Sequence, residues 1–228
     1  MRMASRSRVA QRIAELRRDT SGVSILELAL VLPVLLTLGM YGTELAYMAT
    51  VNMEVSQIAS SIADNASRLG QTDNSSVTPT VTEAQIDSVM EGAIQQGTTF
   101  DVEGNGRIIL SSLERDPLTG AQFIHWQRCR GELAKSSAYG PAGFGLVSGT
   151  LAGLGKATSR ITANAGSAVM YAEVYYRYEG LFGTMFVGNV EMKHEAAFMI
   201  RDDRNLLQST NGTLTAGVTG SGSQSSCS

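Results

Sequence analysis

Residues 23–41 form an apolar run whose single charge, Glu27, lies near its start. As an α-helix these 19 residues extend about 28 Å at ~1.5 Å per residue. That nearly matches the ~30 Å hydrocarbon core of a bilayer. A segment of this kind dictates the layout of the chain: whatever precedes it stays on one side of a membrane and whatever follows is carried beyond it. Pro33 sits inside the run, where a membrane helix tolerates it and usually kinks.

The flanks give the run a direction. Residues 1–22 hold six arginines (Arg2, Arg6, Arg8, Arg12, Arg17, Arg18) against Glu15 and Asp19, a balance of +4, while the remainder of the chain stands at −7. Basic residues ahead of an apolar span favour a cytoplasmic N-terminus. The acidic remainder offers no reason to expect nucleic acid as a partner. A secretory signal peptide would need small residues at a cleavage site just past the run, and Tyr41, Glu44, Tyr47 and Met48 supply none. A plain single-pass signal anchor fits the length but leaves Glu27 unexplained, because a carboxylate in lipid costs a few kcal/mol unless it is paired or near the interface.

A third reading explains Glu27. The segment Gly22-Val23-Ser24-Ile25-Leu26-Glu27-Leu28 resembles a type IV prepilin cleavage site. The resemblance implies a cut by a prepilin peptidase between Gly22 and Val23. It also implies pairing of Glu27, then the fifth mature residue, with the N-terminal amine of a neighbouring subunit. A glycine before the cut leaves an extended backbone open to the protease, and a free amine on the next helix is the cation that a lipid-buried carboxylate needs.

The apolar pattern continues past Tyr41. Leu45, Met48, Val51, Val55, Ile58, Ile62, Ala66 and Leu69 recur at threes and fours, with Glu54, Gln57, Ser61, Asp64 and Arg68 between them. This predicts an amphipathic extension over residues 42–70, closed by Gly70. Glu44, just outside the run, reads as an interfacial charge. Residues 71–82 read as a polar linker, and Thr82-Glu83-Ala84-Gln85 as the start of a helix with Ile86, Val89, Met90, Ala93 and Ile94 on one face.

From Thr99 the period shortens. Phe100 and Val102, then residues 107–113, predict two strands around a turn at Glu103-Gly104-Asn105-Gly106. The same residues resemble the opening of a calcium loop, but Ser112 stands where that loop needs Glu and helical flanks are missing, so calcium is not expected. Residues 122–129 read as a strand with Ile124, Trp126 and Arg128 on one side and Phe123, His125 and Gln127 on the other. Residues 140–155 are glycine-rich and lack the Gly-Lys-Ser/Thr ending of a phosphate loop, which leaves a long loop or hairpin. Residues 168–178 alternate over eleven positions and give the strongest strand, with Glu173 and Arg177 placed on its exposed face. A last strand falls within residues 188–201, and residues 208–228 read as a flexible Ser/Thr/Gly tail.

Chemistry-bearing motifs are scarce. His125 and His194 are far apart and read as ordinary strand residues, and no nucleophile elbow, CxxC pair or metal-helix motif is present. No enzyme activity, metal or cofactor is expected. Cys129 and Cys227 either stay as free thiols or pair. The even count and an oxidising compartment beyond the membrane favour the pair.

Gly22, Glu27-Leu28, Leu32-Pro33 and Glu44-Leu45, with the strand from residue 168 and the segments Ala196-Ala197-Phe198 and Arg204-Asn205-Leu206, resemble the TadE-like pilus assembly proteins, minor pseudopilins of tight-adherence (Flp) systems. Leu28 stands where that family usually has Phe. The resemblance implies an α+β, pilin-like fold: a long N-terminal transmembrane and amphipathic helix followed by a small antiparallel sheet domain. The expected organisation is a basic cytoplasmic leader (1–22), a transmembrane helix (23–41), its amphipathic extension (42–70), a linker (71–82), a periplasmic α+β domain (83–207) and the tail (208–228). The implied role is a pseudopilin-like subunit assisting pilus assembly and secretion at the bacterial inner membrane. Its implied partners are prepilin peptidase, other pilins or pseudopilins, inner-membrane assembly proteins and lipid. The competing reading is a membrane-tethered periplasmic binding module with no pilus role.

Overall fold

The computed structural model describes residues 15, 21–70, 78–201, 204–206, 217–220, 225 and 227. The chain divides into two compact units, Met1–Ala46 and Tyr47–Ser228. The expected leader, apart from Glu15 and residues 21–22, and most of the expected linker lie outside the described residues, as do residues 208–216, 221–224, 226 and 228 of the expected tail.

One helix, α1 (Ser21–Ser67), crosses the boundary between the units. In the first unit it is bare: residues 22–39 are all exposed, Leu30 at 66% and Ile25 at 71%. The helix continues through Pro33, and the Thr37 hydroxyl donates to the Pro33 carbonyl at 2.7 Å. Thr43 makes the same bond back to Gly39 at 2.9 Å. Such back-bonding hides a hydroxyl within the helix, which suits an apolar surrounding. The helix is long and apolar enough to cross a membrane.

In the second unit the amphipathic pattern decides the packing. Val51, Val55, Ile58, Ile62 and Ala66 are all at most 1% exposed and form one side of the main core. At the C-terminal end of α1 the Arg204 guanidinium donates to the carbonyls of Ala66 (3.0 Å), Ser67 (3.4 Å) and Leu69 (2.5 Å), which are among the acceptors a helix terminus leaves open. Burial brings the Arg204 pKa down to about 10, while the charge of Glu114 acts the other way. Helix α2 (Glu83–Gln96) begins with a complete capping box: Gln85 N–H donates to Thr82 Oγ1 and Thr82 N–H to Gln85 Oε1. Its Ile86, Met90, Ala93 and Ile94 are buried.

Four strands, β1 (Gly106–Arg115), β2 (Gln122–Arg130), β3 (Ala168–Tyr178) and β4 (Val190–Met199), form an antiparallel sheet in the order β2-β1-β3-β4. The fold is therefore α+β. Ile108, Leu110, Trp126, Met170, Val174 and Tyr176 meet α1 and α2 on one face, while Leu113, Ile124, Val169 and Tyr171 build a second cluster on the other.

Four details depart from the sequence expectation. Residues 99–106 do not form a hairpin. A 3-10 turn (Thr98–Phe100) leads into a short helical turn, α3 (Val102–Asn105), with Asp101 left-handed between them at φ 50° and its carboxylate accepting from Gly104 N–H at 3.1 Å. Long-range packing selects this path: Phe100 stacks edge-on to Tyr176 at 5.1 Å, and Tyr176 Oη donates to the Phe100 carbonyl at 2.7 Å. Gly97 permits the turn, because a Cβ there would lie 2.4 Å from Val102 Cγ1.

Second, the face assignment along β2 changes at a bulge. Ser111 pairs with Gln127 but Leu113 pairs with Ile124, so β2 carries one extra residue. Ile124 thus joins Leu113 on the second face while Trp126 stays on the helix face. Third, Glu173 is fully buried and not exposed, although Arg177 is exposed. Fourth, the described part of the C-terminal tail is built into the fold: Val218 is buried, Thr219 bridges Thr82, and Ser225 is buried.

Candidate functional site

Gly22 and Val23 lie in the first turns of α1. Nothing stands within 4 Å of the Gly22 Cβ position, and Val23 is 54% exposed. Gly22 is helical and not extended, so a protease acting there must first unwind that turn. Glu27 lies one helical turn beyond Val23, on the same face. It is exposed, as are its apolar neighbours Leu26, Leu28, Leu30 and Val31. This surface can do one physical thing well: it can bury apolar area in lipid or against other helices, provided something cationic meets the one carboxylate. Glu44, read as interfacial, is instead fully buried and engaged.

Cys129 and Cys227 are bridged across 98 residues, with Cα atoms 4.8 Å apart. The bridge ends a strap along β2 and α2. Thr219 N–H donates to the Val81 carbonyl (2.9 Å), Glu83 N–H to the Thr219 carbonyl (3.0 Å), Cys129 N–H to the Ser225 carbonyl (2.6 Å) and Ser225 Oγ to Asp87 Oδ1 (2.6 Å). Gly217, left-handed at φ 66°, lies so close to Trp126 that a Cβ would come within 2.6 Å of the indole.

The second face of the sheet carries a polar network under residues 131–167. The Glu173 carboxylate accepts from Ser137 Oγ (2.5 Å), Ala138 N–H (3.2 Å) and Tyr175 Oη (3.0 Å), with Lys193 Nζ at 3.3 Å. Lys193 also meets Glu195 at 2.6 Å, and Tyr139 Oη donates to Glu195 at 2.7 Å. Burial acts against charge on Glu195, yet its hydrogen bonds from Lys193 and Tyr139 hold the carboxyl below its ordinary range. Burial likewise opposes the Lys193 ammonium, but the bond to Glu195 and the charge of Glu173 leave its pKa raised. Beside this network Tyr139, Phe144, Leu151 and Arg160 line a cavity of about 360 Å³.

Sequence reasoning missed a buried pair. His125 Nδ1 stands 2.9 Å from Glu114 Oε2 with both side chains at most 1% exposed, and Ser112 Oγ donates to Glu114 Oε1 at 2.9 Å. The residues are eleven apart, on strands joined by a turn, so the only available signal was that a hairpin would bring them together. His194 lies apart, its Nε2 2.8 Å from Asn52 Oδ1. Among the described residues no group of three or more His, Cys, Asp or Glu side chains is placed to hold a metal ion. Comparison of the chain with protein-family models, curated proteins and solved structures gave no match.

Proposed function

We propose that this chain is a pseudopilin-like structural subunit, similar to the TadE-like proteins, that assists assembly of an adhesive Tad/Flp pilus at a bacterial inner membrane. The observation that carries the reading is the pairing of a bare apolar helix with a single carboxylate, Glu27, one turn beyond the Gly22–Val23 junction. In this reading a prepilin peptidase removes the basic leader on the cytoplasmic side, residues 23–41 cross the membrane, and Glu27 meets the new amine of a neighbouring pilin or pseudopilin. The unit from Tyr47 onward is periplasmic, a compartment in which its disulfide persists.

The test is N-terminal sequencing and intact mass of the full-length protein extracted from membranes of cells that contain a prepilin peptidase. A mature chain starting at Val23 is expected, and one that keeps Met1 overturns the proposal. Glu27→Ala should be cut normally but lose its co-purifying helical partners. The cavity beside Tyr139 and Arg160 supports a second reading, a membrane-tethered periplasmic binding module. That reading predicts an uncut chain whose association is indifferent to Glu27.

A further inference from the structure

Between Glu132 and Glu173 the chain has no acidic residue, although residues 23–228 as a whole are acidic. The same stretch holds three cations, Lys135, Lys156 and Arg160. Lys135 is committed to Glu191 at 2.8 Å. Arg160 pairs with no carboxylate among the described residues. It lines the cavity of about 360 Å³ together with Tyr139, Thr150, Leu151 and Gly153.

The fold fixes the wall that carries this cation. Leu154 N–H donates to the Ile161 carbonyl at 2.9 Å and Ile161 N–H to the Leu154 carbonyl at 2.7 Å, which closes the loop bearing Arg160. Gly153, beside that bridge at φ 119°, leaves no room for a side chain: a Cβ there would lie 2.6 Å from the Ile161 carbonyl oxygen and 3.3 Å from Arg160 Cβ. Gly153 is buried, and neither its N–H nor its carbonyl has a hydrogen-bond partner among the described residues. Buried main-chain groups are almost always paired, so this peptide unit calls for a polar partner from the cavity. Tyr139 donates its hydroxyl to Glu195, so what it offers the cavity is ring surface, and Leu151 adds a half-buried apolar side chain. Glu173 and Glu195 outnumber the cation they share, Lys193, which draws a bound anion away from that network and toward Arg160.

We propose that this cavity binds a sugar acid, a single pyranose ring bearing a carboxylate. The carboxylate meets the Arg160 guanidinium, whose planar fork suits it. Ring hydroxyls meet the Thr150 hydroxyl and the Gly153 main chain, and the apolar face of the ring lies against Tyr139 and Leu151. The volume is at the small end of ligand sites, ~300–1,000 Å³, which fits one ring. An aromatic acid would satisfy Arg160 but leave the Gly153 peptide unit unpaired. The site rests on the cavity of the second functional reading and holds whether or not the chain is cut at Gly22. N-terminal sequencing tests the leader and a binding measurement tests the cavity, so each can fail without the other. A free sugar acid and the end unit of an acidic polysaccharide present the same chemistry.

The experiment is saturation-transfer NMR on the full-length, disulfide-intact protein in a polyoxyethylene detergent, which carries no sugar. The probes are galacturonate, galactose, benzoate and trigalacturonate. Galacturonate is expected to bind saturably, and galactose at least about tenfold more weakly, the worth of a hydrogen-bonded charge. Arg160→Gln should abolish that preference. Arg177→Gln makes the same charge change at an exposed residue outside the cavity and should keep it. Arg160 is exposed, so the variant should fold, and unchanged Trp126 emission checks this. Trigalacturonate binding as tightly as galacturonate supports the site with a polysaccharide end as its source, and weaker binding supports it with the free sugar acid. No binding of galacturonate, equal loss in both Arg variants, or benzoate binding as well as galacturonate each overturns the proposal.

Discussion

Cys227→Ser separates the C-terminal strap from the rest of the fold. The bridge closes a loop of 98 residues, and releasing such a loop restores unfolded-state entropy equivalent to about 4–5 kcal/mol in the chain-entropy model. Against a typical total stability of ~5–15 kcal/mol, this is a large share. The strap's other contacts, Thr219 to Val81 and Glu83, and Ser225 to Cys129 and Asp87, would lose much of their effective local concentration once the bridge is gone. Trp126 is the only tryptophan, is 4% exposed, and has Gly217 against its ring, so its fluorescence reports the strap directly. Urea denaturation of the full chain in mild detergent, followed by Trp126 emission, should show a large drop in midpoint for Cys227→Ser and a red-shifted native spectrum. Cys129→Ser and the double variant should match it, because removing a second thiol breaks nothing further. A loss below about 1 kcal/mol with an unshifted native spectrum would falsify the idea that the bridge stabilises this unit by holding the strap.

Thr82→Ala should cost about 1 kcal/mol in the same denaturation assay, since it removes the capping box of α2; an effect indistinguishable from zero would mean that strap pairing at Thr219 holds that end of the helix unaided. Alkaline pH should also destabilise the unit. Burial, then the charge of Glu173, pushes the Tyr175 phenol from 10.0 up to about 12. The fold favours the neutral phenol, so its contribution is complete below pH 10.0 and lost as pH rises through about 12. Tyr176, raised to about 12, and the raised Lys193 act in the same direction. Tyr175→Phe should flatten part of this alkaline fall in unfolding midpoint, and an unchanged curve would remove Tyr175 from the account.

Much of the architecture was legible because it is written in local periods. The amphipathic spacing of Val51, Val55, Ile58 and Ile62 determined a helix and its buried face, and Thr82 with Gln85 determined where the next helix begins. The alternation over residues 168–178 determined the central strand at the same bounds as the structure. The arginine-rich leader and the lone Glu27 in an apolar run needed no structure to be noticed. The short turn at residues 98–105 was misread as strand because Phe100 and Val102 look like alternating strand residues, while the contact that folds them back, Tyr176 on Phe100, comes from 76 positions away.

By itself, then, the sequence determined the elements whose signal repeats every two or three to four residues: the apolar helix, its amphipathic continuation, the capped second helix and the long strand. Only the tertiary structure decided how each side chain is used. The extra residue in β2 redistributes Ile124 and Trp126 between faces. Ser137 and Ala138 convert Glu173 from an expected surface charge into a buried, hydrogen-bonded one. The strap brings Gly217 to Trp126 and Cys227 to Cys129. The physical reason is common to all of these: burial and pairing are set by contacts between residues tens of positions apart, and such contacts leave no period in the chain.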